Sequence, residues 1–187
     1  AWLARALLQG GLSPLSERPL GAMIRRNCRW FSLYAASMRC GVPMITLSGD
    51  MPDRAAERAR NREVLRDLSP QLLVFADEET ETEGSAASEV VREARAVGLR
   101  ALALEQLIAD AAAVAFASPA SPLPSVREDA LLAYCFTGGS TRASKAVRAT
   151  HGMALHEVRH YGEVLPASLR GPRLRFLQNS SAYWGAA

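Results

Sequence analysis

The sequence predicts an α/β fold, a mainly parallel sheet flanked by helices. Short apolar runs of strand length alternate with longer stretches at helical spacing, and the connections between them are short, which is the pattern of parallel layering. Hydrophobic residues make up 49% of the 187 residues, enough for a substantial core and too many for a disordered chain. No apolar run approaches the roughly 18 residues of a membrane span, so none is expected.

The elements follow in order. Ala1 to Gln9 places Trp2, Leu3, Ala6 and Leu7 at helical spacing, and Gly10-Gly11 ends that helix. The first ten residues read as an amphipathic helix, not as a signal peptide. Leu20 to Ile24 is a short strand. Asn27 or Cys28 to Cys40 is a helix with Phe31, Tyr34, Ala35 and Met38 on one stripe, stopped by Gly41. Val42 to Leu47 is an apolar strand, and Ser48-Gly-Asp-Met-Pro is a turn with Pro52 near the start of the next helix. Asp53 to Leu68 is a densely charged helix with Val64, Leu65 and Leu68 packing inward, and Gln71 to Phe75 is a strand. Asp77 to Glu83 is acidic, expected as a solvated loop that a nucleotide would avoid. Ala86 to Val97 is a helix ended by Gly98, Leu99 to Leu104 a strand, and Glu105 to Phe116 a helix. Ser118 to Ser125 holds Pro119, Pro122 and Pro124 and reads as a linker. It separates an α/β layered part, residues 1–117, from a glycine-rich part, residues 126–187.

The second part is organised around Leu131 to His151. An apolar run, Leu131 to Phe136, enters a loop of Thr137, Gly138, Gly139, Ser140, Thr141, Arg142, Ala143, Ser144 and Lys145. A short β-type segment, Ala146 to Ala149, leaves it, and Thr150 is placed to cap a helix. Glycines let a backbone turn sharply and approach a ligand closely. Successive N–H groups in such a turn form an anion-binding concavity. Ser140 and Thr141 add hydroxyl donors, and Arg142 and Lys145 add positive charge. Each charge-assisted bond is worth about 1.5–3 kcal/mol, and a polyphosphate is the natural guest. The same composition also suits a surface hairpin. It is not a Walker A loop, because no glycine precedes Lys145 and Ala146 stands where a Ser or Thr would hold magnesium.

Other chemistry is thin. A net charge of +3 with a pI near 9.0 and no basic run gives no case for nucleic acid. Cys28, Cys40 and Cys135 are widely spaced and read as reduced, buried thiols of a cytoplasmic protein. His156-Glu-Val-Arg-His160 matches the zinc-peptidase pattern, with Glu157 as base. From Glu163 to Ala187, however, there is no further carboxylate, histidine or cysteine to complete the metal's ligands. The helix's apolar stripe, Ala154, Leu155, Val158, Tyr161 and Leu165, leaves His156 and His160 on the opposite, solvated side. No metal site is expected. His151, at the helix start beside the loop, reads equally as a core residue or as one lining the site. Ser140 lacks the G-x-S-x-G surroundings of a nucleophile, and no Rossmann G-x-G-x-x-G occurs.

The segment from Tyr134 to Val147, with Thr150-His151 after it, resembles the phosphate-loop signature of the adenylate-forming superfamily. That superfamily includes nonribosomal peptide synthetase adenylation domains, acyl-CoA synthetases and luciferases. Thr137, Gly139, Ser140, Thr141, Lys145, Val147, Thr150 and His151 match its usual Tyr-Thr-Ser-Gly-Ser-Thr-Gly-x-Pro-Lys-Gly-Val…Thr/Ser-His. Gly138, Arg142, Ser144 and Ala146 depart from it. Upstream, Arg39-Cys-Gly-Val-Pro-Met-Ile-Thr-Leu-Ser resembles the family's Lys-Ala-Gly-Ala-x-x-Val-Pro-Leu segment. Asp50-Met-Pro-Asp-Arg and Leu65 to Val74 continue that likeness. Near the end, Leu177, Gln178 and Ser181 match Leu-Gln-x-x-Ser-x-x-Phe-Asp-x-Ser. Trp184 falls on its Phe, and Gly185 on the Asp that clamps an α-amino group in amino-acid-activating members.

The resemblance implies the first part of the large N-terminal lobe of an adenylate-forming enzyme, in a fragment of a longer polypeptide. It implies a carboxylate substrate activated by ATP with Mg2+ to an acyl-adenylate, and a carrier protein or CoA as acceptor. Thr137, Gly138, Gly139, Ser140, Thr141 and Lys145 would bind the nucleotide's phosphates, and Lys145 would act in catalysis. The four departures and the missing later motifs fit a second expectation, a degenerate non-catalytic module of a multidomain synthase.

Overall fold

The computed structural model describes residues 1–80, 84–115, 122–136 and 145–166. In chain order these form α1 (Trp2–Gln9), β1 (Leu20–Met23), α2 (Cys28–Cys40), β2 (Met44–Thr46), α3 (Arg54–Leu68), β3 (Leu72–Phe75) and α4 (Asp77–Thr80). There follow α5 (Ala86–Ala96), β4 (Ala101–Ala103), α6 (Leu104–Ala115), β5 (Leu131–Phe136), β6 (Ala146–Thr150) and α7 (His151–Val164). Among the described residues no helix is long and apolar enough to cross a membrane.

The strands make one sheet in the order β4-β3-β1-β2-β5-β6. All neighbours are parallel except β6, which runs antiparallel to β5. Side chains alternate between the faces of a strand, and the sequence fills both faces. Leu20, Ala22, Met44, Leu72 and Val74 point to one side, where they pack with Leu3, Leu7, Leu33, Cys40 and Leu107 of α1, α2 and α6. Met23, Ile45, Leu73, Phe75 and Phe136 point to the other, against Val64, Val90, Val91 and Ala94 of α3 and α5. The chain steps from β1 out to β2 through α2, then back across β1 to β3 through α3. Right-handed crossovers place two such helices on opposite faces, which is where they lie.

The ends of the helices follow local chemistry. Asn27 accepts from the Arg29 and Trp30 amides at the start of α2, and Gly41 closes that helix in the left-handed region at φ 64°. Asp53 caps α3 by accepting from Ala55 and Ala56.

Several expectations are corrected. The buried stripe of α2 is Trp30, Leu33, Ala36, Ser37 and Cys40, while Phe31 and Ala35 are exposed. The buried face lies about one residue from the expected one, because Trp30, Leu33, Ala36 and Cys40 are the residues packed into the core with Leu20, Val42 and Met44. On α1, Leu3, Ala6 and Leu7 are buried while Trp2 is 51% exposed. The acidic stretch opens with a helical turn, α4, where Arg29 bridges Glu78 and Glu105, and the rest of it, 81–83, lies outside the described residues. The fourth strand is only Ala101–Ala103, since the buried Leu104 already begins α6. On α7 the expected inward residues Leu155 and Val158 are exposed, Val158 by 79%, and Ala154 and Leu165 are half-buried. The side chain of Tyr161, Phe116, residues 118–121 of the linker and the terminal stretch Leu174 to Ala187 lie outside the described residues.

Candidate functional site

In open α/β sheets, ligands bind beyond the carboxyl ends of the parallel strands. β5 ends at that edge with Phe136. Its partner β6 returns at the same level, with Phe136 opposite Ala146, Cys135 opposite Val147 and Tyr134 opposite Arg148. Lys145 stands directly before that closing rung and is exposed. It is the only lysine of the chain; the other 21 Lys or Arg positions are all arginines. Of the expected phosphate-binding residues, Lys145 is thus placed at the sheet edge. Thr137, Gly138, Gly139, Ser140 and Thr141 lie outside the described residues, as do Arg142, Ala143 and Ser144.

The hairpin is tied to the rest of the molecule on both sides. The Tyr134 hydroxyl donates to the Glu17 carbonyl at 3.1 Å, and Arg148 bridges the Glu17 carboxylate at 2.8 Å. Burial pushes the Tyr134 phenol above its ordinary value. On the α3 side, the Arg60 guanidinium lies 4.7 Å from the centre of the Phe136 ring, within cation–π range.

Next to β5 at the same edge, the turn after β2 is held by two buried polar residues of α3. Glu57 Oε1 accepts from the Ser48 hydroxyl (3.2 Å) and the Met51 amide (2.8 Å), and its Oε2 accepts from Arg54 (2.6 Å). Asn61 accepts from the Ser48 amide (2.9 Å) and donates to the Ser48 carbonyl (2.7 Å). Sequence reasoning missed both. The available signal was their spacing, since 57, 61, 64, 65 and 68 share one helical face.

On the opposite face, Trp30 donates from Nε1 to Thr46 Oγ1 (3.0 Å), carries Arg26 over its ring at 5.1 Å and stacks on Tyr34. Burial, helped by Cys135, pushes the Tyr34 phenol up to about 12. Cys40 is buried, donates to the Ala4 carbonyl, and its thiol is pushed up to about 11 by burial. Cys28, Cys40 and Cys135 are all free thiols, but of the three only Cys40 is buried as expected; Cys28, the first residue of α2, is exposed and Cys135 is half-buried.

Thr150 caps α7 as expected, its hydroxyl accepting from the Met153 amide (3.2 Å). The His151 amide donates to the Ala130 carbonyl (3.0 Å) and its ring is half-buried. Nε2 is shut off from solvent and has no hydrogen-bond partner among the described residues. Burial lowers the imidazole's pKa. His156 and His160 are exposed with ring centres 4.5 Å apart, and His160 meets Glu163 at 3.2 Å. Among the described residues no group of three or more His, Cys, Asp or Glu side chains could hold a metal ion.

A family model described as AMP-binding enzyme matches residues 2–187. No curated protein matches the sequence. Among solved structures the chain is similar to VinN in complex with 3-methylaspartate, with TM-score 0.67 and 21% identity over 88% of this chain. It is similar to the N-terminal subdomain of NpsA from Klebsiella oxytoca, with TM-score 0.59 and 21% identity over 88% of this chain. A third likeness is NpsA-ThdA, an artificially fused adenylation–PCP di-domain of a nonribosomal peptide synthetase from the same organism. There the TM-score is 0.56, with 21% identity over 80% of this chain and 25% of that one. The chain spans 42% of the VinN chain and 35% of the NpsA subdomain. At this identity the likenesses establish the fold.

Proposed function

The chain belongs to the AMP-binding enzyme family, and from that premise we propose that it is part of an adenylate-forming ligase. The reaction is attack of a carboxylate oxygen on the α-phosphorus of ATP, giving an acyl-adenylate and releasing pyrophosphate. A thioester acceptor, carrier protein or CoA, then takes the acyl group in a cytoplasmic setting. The amides of Thr137, Gly138 and Gly139 and the hydroxyls of Ser140 and Thr141 hold the β- and γ-phosphates. Lys145 offsets charge on the departing pyrophosphate, an electrostatic role. The observation that supports this reading is the closing rung Phe136–Ala146 at the carboxyl edge of the parallel strands, with the exposed Lys145 beside it. Residues 1–117 and 126–187 act as the layered part and the phosphate-loop part of one such domain. Mg2+ would accompany the nucleotide, bound to its phosphates, where it would screen their charge.

A second reading has its own support. Arg142, Ser144 and Ala146 replace residues that the family's loop normally uses, and Gly185 falls on the position of the amino-group clamp. A module that only packs within a larger synthase would tolerate those changes.

Calorimetry with Mg·ATP on the wild type and Lys145→Ala separates the two. The ligase reading expects binding by the wild type and about tenfold weaker binding by the variant. Because Lys145 is the chain's sole lysine, its protection from an amine-reactive reagent by Mg·ATP gives a second readout. Equal heats and unchanged labelling would remove Lys145 from the site.

A further inference from the structure

The end of the sheet opposite the candidate site carries a cavity of about 870 Å³. It lies where α3 and α5 finish and where β3 and β4 begin. Its apolar lining is Leu65, Pro70, Ala96, Val97 and Leu99. Its charged lining is Arg18, Arg62, Arg66, Arg100 and Glu93, so cations outnumber carboxylates around apolar surface. The volume is that of a small-ligand site, roughly 300–1,000 Å³.

The four arginines fall into two pairs. Arg62 meets Glu93 and Arg66 meets Asp67, so each of these has a carboxylate beside it. Arg18 and Arg100 are bonded to backbone carbonyls instead. Arg18 donates from Nε to the Ser69 carbonyl (3.0 Å) and from Nη2 to the Pro70 carbonyl (3.2 Å). Arg100 donates from Nη1 to the Gly10 carbonyl (2.7 Å). A carbonyl carries no net charge, so these bonds orient both guanidiniums without neutralising them. The bonds of Arg18 also cover carbonyls that follow α3, at the negative end of that helix.

Both cations are held in advance. Gln71 Oε1 accepts from the Ser13 amide (3.0 Å) and its Nε2 donates to the Arg18 carbonyl (2.8 Å), which fixes the segment carrying Arg18. The Leu73 amide donates to the Arg100 carbonyl (2.9 Å), which ties Arg100 to the start of β3. Charges positioned beforehand lose less freedom when a ligand binds. Beside them, Leu65 and Leu99 are half-buried and Ala96 and Val97 exposed, apolar surface on which hydrocarbon is favoured over water.

We propose that this cavity binds a small amphipathic anion, an apolar body with a carboxylate head. Arg18 and Arg100 hold the head, since a guanidinium fork matches a carboxylate and gives charge-assisted bonds. Leu65, Ala96, Val97 and Leu99 take the body. The site is separate from Lys145, at the other end of the strands, and does not depend on the ligase reading.

The test titrates octanoate into the full chain, followed by NMR, with acetate as the head alone and 1-octanol as the tail alone. Octanoate should bind at least about tenfold more tightly than either. Arg18→Gln and Arg100→Gln should each weaken octanoate about tenfold, and Arg100→Lys should restore most of the loss. Ala96→Phe keeps every arginine and fills the cavity, and should also weaken octanoate about tenfold. Lys145→Ala should bind it as the wild type does. Equal affinity in the wild type and both Gln variants would overturn the proposal, and so would octanol binding as tightly as octanoate. Loss in Lys145→Ala with none in Arg100→Gln would place octanoate at the candidate site and overturn it too. Should Arg18→Gln fail to fold, Arg100→Gln and Ala96→Phe decide by the same criteria. Failure of the wild type to bind octanoate would refute the proposal and leave the ligase reading standing.

Discussion

Glu57 is a carboxylate with no exposed surface on a helix that is otherwise densely charged. Its three bonds are unequal. Arg54, with a side chain 55% exposed, forms a pair open to solvent, and such pairs contribute about 0–1 kcal/mol. The bonds from the buried Ser48 hydroxyl and the Met51 amide are the costly ones to break, since each leaves a donor without water or partner. Glu57→Ala should therefore lower stability by about 2–4 kcal/mol and Arg54→Ala by less than about 1, read as shifts of the urea midpoint at constant slope. Comparable losses would show that the ion pair, not the buried donors, is what counts. His151 gives a pH prediction. Burial lowers its pKa below the ordinary 6.5, so the folded chain favours the neutral ring. As pH falls past that ordinary value, the unfolded chain takes up the proton first, and stability falls until the folded ring is protonated as well. The contribution is fully present above about pH 6.5 and lost below it. Urea midpoints of wild type and His151→Gln from about pH 8 to about pH 5 should diverge on the acid side, and parallel curves would contradict this. Lys145, Thr150 and His151 could be singled out in the sequence because their types stand out in their surroundings. Glu57 and Asn61 do not stand out by type, because a polar residue on a charged helix looks the same whether it faces water or the core; only their place on the face of Val64, Leu65 and Leu68 marks them.

At the level of elements, termini were more legible than faces. The limits of α2 and β5 coincide with the boundaries read from Asn27, Gly41 and the apolar run at 131, because caps and glycines act locally. Which side of α2 is buried depends on what packs against it, and there the aromatic stripe misled. The cap after α2 shows how far a local signal reaches. Gly41 has φ 64°, and a Cβ there would lie 2.7 Å from Leu15 Cδ2 and 3.2 Å from Val126 Cγ2. The left-handed conformation alone costs an L-residue about 1–2 kcal/mol, and Leu15 would have to shift as well. Gly41→Ala should destabilise the chain by about 2 kcal/mol, or about 4–8 °C in Tm, measured by thermal unfolding followed by circular dichroism. An unchanged Tm would mean that the loop carrying Leu15 yields freely. The glycine thus joins the end of a helix to two distant segments, a link that no sequence window around residue 41 contains.

For the whole molecule, alternation of strand and helix was enough to indicate a parallel sheet, but not its order. Order depends on which strand each crossover returns to, and that is settled by the two buried faces together. The sheet is also uneven. β1 and β3 pair along four residues each and are covered on both faces. β5 joins β2 at the Met44–Ala133 rung, β6 is an edge strand, and α7 leaves Met153, Val158 and Val164 exposed. Local opening is easiest where little apolar surface is buried and hydrogen bonds face solvent. Native-state hydrogen exchange should therefore find the amides of β1 and β3 opening only near the global free energy, and those of β6 and α7 opening at least about 2 kcal/mol below it. If both groups exchanged together, the molecule would be one cooperative unit and the candidate site would sit on a rigid base. The expected split instead attaches Lys145 to the more easily opened part of the molecule. A ligand held by Lys145 would then slow exchange in β6 more than in β1, because it would tie down the looser part.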